Sequence, residues 1–481
     1  MSGRPSGTSK SSLVEHGRGA TCLQETCRDT IEQSKSCGQY PGPAVQQKGE
    51  NIMTEHLNQK IGRRRFIGTA ATAGLMIIKP ELVRGTSANS AVRVGLLGCG
   101  GRGTTDATDL VNTGSARVVA LADLFDDQLQ ASKKHFDELG QSKGHPGVDA
   151  SQMFKGPKAY QQIAASKEVD AIVVATPPYF HPSHLETAVA AGKHVYCEKP
   201  VAVDVHGAKQ VIETGKKAEG KISLDVGFQI RNAPPFVELT QRIHGGALGK
   251  IACCQAYYYT SAIDRPAWLD ASPVERRIRN WVYDRVLSGD ILVEQNIHVV
   301  DVCNWVLQGH PLKATATGGR KVRTDSGDCW DHFEVLLTYP DDVHVSLNST
   351  QFDKGWWDVC ERFFGSKGVS EAHYDHPVRI TGDDPWEWDA GGGQTQEKPG
   401  QFSTTGVFKG ALDQADPEKK KAFAESILSG KFHNQAALGA ESALSAMMGR
   451  RAAYTEREVT WEELLRSDEA WDARIDLDKL A

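Results

Sequence analysis

A short run near residue 91 does most to limit how this chain can fold. Residues 91–97 (A-V-R-V-G-L-L) form the brief, mostly apolar stretch expected of a strand buried in a parallel sheet. They lead into Gly98-Cys-Gly-Gly-Arg-Gly103 and then a helix-compatible segment, residues 104–112. The glycines have separate tasks: Gly98 allows a tight turn, Gly100 lets backbone approach a pyrophosphate, and Gly103 lets helix and strand pack closely. The free N–H groups of the helix N-terminus complete a phosphate cradle. A second strand, residues 117–122, ends in Asp123, about twenty residues past Gly103. A carboxylate there accepts both ribose hydroxyls and repels a 2′-phosphate, which favours NAD over NADP; the alternative for Asp123 is a cap on the following helix.

The pattern continues. Residues 169–175 read as another buried strand, broken by Thr176-Pro177-Pro-Tyr-Phe-His181 at the carboxyl edge where nucleotides bind. A helix, a further strand (192–197) and Glu198-Lys199-Pro200 follow. The candidate cofactor residues are therefore Gly98, Gly100, Gly101, Arg102, Gly103, Asp123, Thr176, Pro177, His181, Glu198 and Lys199.

The length of 481 residues suits two or three domains. A net charge of −6 lacks the basic footprint of nucleic-acid binding, and no apolar run reaches the roughly 18 residues of a membrane span. Ten cysteines without a C-x-x-C argue against a disulfide framework or a zinc site, and no metal is expected.

Residues 1–52 show no periodicity and read as disordered or as a mis-called extension. Residues 53–90 carry Arg63-Arg64-Arg65-Phe66-Ile67, a short apolar run and small polar residues, the layout of a signal peptide. The R-R-x-F-I core resembles a twin-arginine signal, with translation starting at Met53, the twin-arginine translocase as a partner and the periplasm as destination. A buried amphipathic helix in a cytoplasmic protein is the alternative.

The ordered series V-G-L-L-G-C-G-G-R-G, A-D, A-T-P-P-x-x-H and A-G-K-H-V-Y-C-E-K-P resembles the glucose–fructose oxidoreductase / inositol dehydrogenase / rhizopine catabolism (Gfo/Idh/MocA) family. The likeness continues through G-F-Q-I-R231 and S-G-D-I-L-V-E294-Q-N-I-H298-V-V-D301. It implies an α/β protein: an N-terminal Rossmann domain (residues 91–215), then an α/β domain (216–481) with a large, mostly antiparallel open sheet that often mediates oligomers. A homo-oligomer, dimer or tetramer, is the corresponding expectation. All ten tryptophans lie beyond residue 260, consistent with a change of domain.

Residues 291–307 read as one mostly apolar helix, with Glu294, His298, Asp301 and Asn304 spaced 4, 3 and 3 apart along one face. A polar stripe on a buried helix needs a cleft or partners. Dehydrogenation of an alcohol needs a base and a hydride acceptor: His298 suits the base, Lys199 can stabilise the developing alkoxide, and Glu294 stands one turn from His298, within reach to orient it. In the family, the E-K-P lysine and a D-x-x-x-H pair fill these roles; here the aspartate position is Glu294. The resemblance also implies a cis Lys199–Pro200 bond. Arg231 and Asp301 are candidate substrate ligands, although Arg231 pairing with a carboxylate is an equal reading. Of Trp268, Trp281, Tyr283, Trp356, Trp357, Trp386 and Trp388, one or two stacking on sugar is the expectation.

The expected function is transfer of hydride between NAD and a sugar or polyol hydroxyl. Export removes the enzyme from the free nucleotide pool, so the cofactor is expected to be tightly bound. An NAD-dependent glycoside hydrolase, acting by oxidation, elimination, hydration and reduction, is the alternative; a cofactor-bound sensor is a third.

Overall fold

The computed structural model describes residues 91–325, 327–389 and 410–480. The readings made for residues 1–52 and 53–90, including Met53 and the twin-arginine cluster, lie outside the described residues.

Six short strands form a parallel sheet: β1 (Val92–Leu97), β2 (Ala116–Asp123), β3 (Met153–Lys155), β4 (Ala171–Val174), β5 (His194–Cys197) and β6 (Leu224–Val226), in the order β3-β2-β1-β4-β5-β6. The order reverses between β1 and β4, where Leu97 lies opposite Val174. That reversal opens the crevice at the carboxyl edge. Covered on both faces by helices, β4 has no polar residue: Ala171, Ile172, Val173 and Val174 are all buried.

The domain boundary expected at residue 215 needs correction. β6 extends the parallel sheet to Val226, and a much later helix, Ala415–Ser429, returns to complete the layer. Phe423 meets Tyr196 of β5 at 5.7 Å, and Ala424 joins the same cluster as Val94, Leu96 and Ala107. Segment order hid this, because local periodicity does not reveal which sheet a late helix covers.

The second sheet has nine strands: β7 (Ile251–Thr260), β8 (Lys313–Gly319), β9 (His332–Thr338), β10 (His344–Gln351), β11 (Asp358–Gly365), β12 (Gly368–His373), β13 (Val378–Gly382), β14 (Trp386–Glu387) and β15 (Val459–Thr460). Their order is β14-β13-β12-β11-β7-β10-β9-β8-β15; β7 and β10 run parallel and the other pairings are antiparallel. In β9, Phe333, Val335 and Leu337 point into the core, while Glu334 and Leu336 face outward. The helix Ala436–Thr455 joins the two domains. A Cβ on Gly439 would stand 2.9 Å from Val226 of β6, and one on Gly449 would stand 3.0 Å from Val335 of β9. Small residues thus let one helix press closely on both sheets.

The expected single helix over residues 291–307 is two: Ile291–Glu294 and Ile297–Leu307. The Ile291 carbonyl accepts from the N–H of Gln295 (2.9 Å) and also from that of Asn296 (3.0 Å), a widened turn that interrupts the regular ladder. The Gln295 side-chain oxygen accepts from Gln351 Nε2 at 2.6 Å, which holds the break from the sheet side. Ahead of it, Asp290 has φ 69° and ψ 165°, a conformation almost reserved for glycine and costing about 1–3 kcal/mol. Its buried carboxylate offsets this by accepting from Ile291 N (2.7 Å), Trp330 N (3.0 Å) and the Tyr454 hydroxyl.

Candidate active site

The glycine-rich turn is built as its spacing requires. Gly98 has φ +96°, and a Cβ there would lie 2.6 Å from the backbone of Ala175. A Cβ on Gly103 would lie 2.1 Å from the Gly98 carbonyl oxygen, so helix and strand can close only on glycine. Around Gly100 a Cβ would meet nothing within 4 Å: its open side is room for a ligand. The helix that starts here, Gly101–Asn112, has no side-chain cap, which leaves its first N–H groups for an anion. A cavity of about 340 Å³ lies over this turn, lined by Gly98, Gly100, Gly101, Asp123, Thr176 and Pro177 among others. These features fit a dinucleotide.

Asp123 fastens the cradle as well as lining it. Its carboxylate accepts from the N–H groups of Cys99 (2.7 Å) and Phe125 (2.9 Å), and burial pushes its pKa up against those bonds. Its remaining lone pairs are the ones available to a ribose.

Arg102 departs from expectation. Its guanidinium does not line the cavity but meets Glu198 (2.9 Å), Asp416 (2.6 Å) and Asp106 (3.1 Å). Lys420, fully buried, joins Asp106 at 2.7 Å and Asp416 at 3.1 Å, and donates to the Tyr196 hydroxyl at 2.8 Å. Burial would raise the Asp416 pKa, but Arg102 and Lys420 hold it well below the usual carboxylate range. At Asp106 burial dominates and pushes the carboxyl up to about 8. Glu198 belongs to this network too, and also accepts from Lys199 N at 3.0 Å. It braces the turn before the lysine. His181 is likewise a brace: its ring nitrogens reach the carbonyl oxygens of Thr176 (2.6 Å) and Pro200 (2.7 Å). Three expected cofactor residues, Arg102, His181 and Glu198, therefore support the cradle from behind.

The Lys199–Pro200 bond is cis, as the resemblance implied. Lys199 Nζ donates to the Glu294 carbonyl at 2.7 Å and to the Glu294 carboxylate at 3.2 Å, joining the nucleotide domain to the break between the two helices. The other carboxylate oxygen of Glu294 is buried with no hydrogen-bond partner among the described residues. His298 opens the second helix and is buried. Burial first, then the charges of Lys199 and Arg102, lower its pKa well below the ordinary histidine value. A neutral imidazole beside a lysine and a carboxylate is equipped to take a proton from a hydroxyl.

Arg231 and Asp301 do not join this group as substrate ligands. They pair with each other at 2.8 and 3.0 Å, and Asp301 also accepts from Ser442 at 2.7 Å. Asn304 is similarly spent, donating to Ser445 (3.1 Å) and accepting from Tyr339 (2.8 Å). The polar stripe divides: Glu294 meets Lys199, while Asp301 and Asn304 glue the helix to Ala436–Thr455.

Sequence reasoning missed the segment between β7 and the first of the two helices. Arg265, Trp268, Arg279 and Trp281 line the cofactor cavity from the second domain. Trp268 and Trp281, two of the seven aromatics among which one or two sugar platforms were expected, thus share a cavity with Asp123. Trp356 instead stacks on Tyr259 (5.4 Å), and Trp386 pairs with Trp388 (6.5 Å). His184, also unforeseen, lines the cavity and bonds Thr176 Oγ1 at 3.0 Å; burial lowers its pKa to about 3.

Residues 92–226 match the family described as "Oxidoreductase family, NAD-binding Rossmann fold" (Gfo/Idh/MocA), and residues 236–371 match its "GFO/IDH/MocA C-terminal domain". Inositol 2-dehydrogenase of Rhizobium meliloti is 28% identical over 298 residues, 61% of this chain and 79% of that protein. Among solved structures, the aldose-aldose oxidoreductase of Caulobacter crescentus, crystallised with glycerol, aligns with a TM-score of 0.58 at 20% identity over 77% of this chain and 99% of that one. A levoglucosan dehydrogenase in complex with NADH and levoglucosan aligns with a TM-score of 0.58 at 18% identity, over the same shares of the two chains. At these identities the two structures speak for the fold alone.

Proposed function

Because the chain belongs to the Gfo/Idh/MocA oxidoreductase family, we propose that it interconverts a sugar or polyol hydroxyl and the corresponding carbonyl with tightly held NAD. The contact of Lys199 with both the carbonyl and the carboxylate of Glu294 carries this reading. It brings a fixed cation to the carboxyl edge of the parallel sheet, next to a buried neutral histidine. Of the three N–H donors on Lys199, Glu294 engages two, which leaves one for a substrate oxygen. His298 takes the hydroxyl proton, and Lys199 stabilises the charge that develops on the oxygen. A nicotinamide bound with the nucleotide would supply the acceptor for hydride from the carbon that bears this hydroxyl. Gly98, Gly100, Gly101 and Asp123, which line the cavity, would hold the nucleotide.

The test is a panel of inositols, aldoses and glycosides offered to the purified protein, with Lys199→Ala and His298→Ala beside it. Oxidation of a free polyol or aldose, lost in both variants, supports the dehydrogenase; release of an aglycone without net redox change points to the hydrolase instead. Unchanged turnover in both variants sinks the mechanism.

The reading extends to the compartment. The Arg63-Arg64-Arg65-Phe66-Ile67 cluster supports export by the twin-arginine translocase to the periplasm, and a nucleotide retained through folding suits that route. Normal export of an Arg63→Lys/Arg64→Lys double variant contradicts it. The outward face of the nine-stranded sheet, where Leu336 is 42% exposed, supports a homo-oligomer, dimer or tetramer. Sedimentation equilibrium decides that point.

A further inference from the structure

A dinucleotide brings two negative charges at its pyrophosphate, and the glycine-rich turn offers only N–H groups and a helix dipole worth about half a charge. Arg102, the one cation of the turn, is committed to Glu198, Asp416 and Asp106. Two other arginines line the cavity. Arg279 is neutralised: it meets Asp127 at 2.8 and 2.9 Å and Glu275 at 2.7 Å, and its guanidinium lies 3.9 Å from the Phe125 ring and 4.4 Å from that of Trp268. Arg265 differs. Among the described residues it forms no ion pair, and its Nε is buried without a hydrogen-bond partner. Its guanidinium lies over the Trp281 ring at 6.0 Å, the outer reach of a cation–π contact. Trp268 Nε1, on the same wall, is a second buried donor with no partner among the described residues. Arg265 and Trp268 are both partly buried, and a buried donor without a partner is costly until an acceptor meets it.

We propose that Arg265, carried on the segment between β7 and the helix Pro273–Arg279, binds the pyrophosphate of the dinucleotide opposite the glycine-rich turn, with Trp268 Nε1 as a second donor. The inference rests on the cofactor reading above and adds the source of the missing positive charge. The second domain thereby becomes half of the nucleotide site. Arg279, fixed to Asp127 of the nucleotide domain, is the latch that keeps this segment over the cavity. Burial lowers the Arg265 pKa, with only partial compensation from the Glu294 charge, as expected of a cation whose ligand completes the site.

The experiment uses the full chain stripped of nucleotide with charcoal, and calorimetric titration with NAD, ADP and adenosine. A charge-assisted hydrogen bond of about 1.5–3 kcal/mol converts to a loss of about tenfold to a hundredfold. Arg265→Gln should weaken NAD and ADP by that factor, leave adenosine within about twofold, and flatten the salt dependence of ADP binding. Arg265→Lys should recover part of the loss, and Trp268→Phe should show a smaller loss for NAD. Equal weakening of adenosine means that the segment has collapsed and overturns the assignment. Unchanged NAD and ADP affinities, with a raised KM for the polyol, also overturn it and give Arg265 to the substrate. If the unaltered chain binds neither NAD nor ADP, the cofactor reading fails with it.

Discussion

Lys199 and Glu294 are 95 residues apart in sequence, yet Lys199 Nζ sits 2.7 Å from the Glu294 carbonyl and 3.2 Å from its carboxylate. The carbonyl is available because the helix ends at Glu294, and the helix ends because the Ile291 carbonyl closes a widened turn. A glutamate in place of the family's aspartate therefore still delivers its charge, to the lysine.

Removing either the base or the cation that stabilises the substrate oxygen should show in kcat. Lys199→Ala and His298→Ala are expected to lower it by about 10²–10⁴-fold, the usual range for loss of an oxyanion-stabilising group or a general base. Glu294→Gln should cost less, because the backbone carbonyl still holds Lys199. Steady-state kinetics on the identified polyol checks the ranking.

Acid should loosen the protein early. Burial lowers the pKa of His184 to about 3 and of His194 to about 4, and lowers those of His181 and His298 as well. In each case the unfolded chain, near 6.5, binds more protons than the folded one, so stability rises with pH between the folded and unfolded values. Stability is thus fully present above about pH 7 and falls as pH drops below about 6.5, by at most about 1.4 kcal/mol per pH unit per histidine. His373 behaves oppositely: burial is outweighed by Asp358, Cys360 and Glu371, which raise it to about 11, so its contribution holds below 6.5 and is lost as pH climbs through 11. Urea midpoints from pH 8 to pH 5 should trace the acid limb; a flat profile contradicts it.

Asp416→Ala should destabilise the fold by about 3–5 kcal/mol, since it leaves Arg102 and Lys420 buried with too few counter-charges. Chemical denaturation measures this directly. Asp416→Asn, which keeps shape and one acceptor, should fall between the alanine variant and the unaltered chain.

Two glycines of the glycine-rich turn should part company. Gly103→Ala drives a methyl into the Gly98 carbonyl and should lower Tm as well as nucleotide binding. Gly100→Ala adds a methyl to empty space, so Tm should hold while NAD affinity drops. Thermal melts paired with NAD titrations separate the two.

Much of this site was legible in the sequence because its signals are local. The glycine spacing, the short apolar strands and Asp123 at the end of β2 report backbone geometry within a few residues. Lys199 and His298 were legible through the ordered motifs around them. Arg102 misled because its partner Asp416 lies 314 residues away, and nothing near the glycine turn announces it. The break at Gln295 was hidden by apolar spacing that suits a continuous helix, and Gln351, which holds it, comes from β10. The unusual Asp290 backbone has no local signal, because the donors its carboxylate meets, Trp330 N and the Tyr454 hydroxyl, are distant in sequence. Arg265 had no periodicity to mark it at all.

The return of the helix Ala415–Ser429 to the parallel sheet also sets an order on synthesis. A ribosome releases β1 to β6 long before it makes the residues that cover them. Until then Asp106, Arg102 and Tyr196 have no Asp416, Lys420 or Phe423 to meet, and one flank of the nucleotide fold stays bare. A fragment cut after Val226 would carry every glycine of the cradle and still lack its underside. The nucleotide domain becomes whole only when nearly the entire polypeptide has left the ribosome, so folding here is an event of the finished chain.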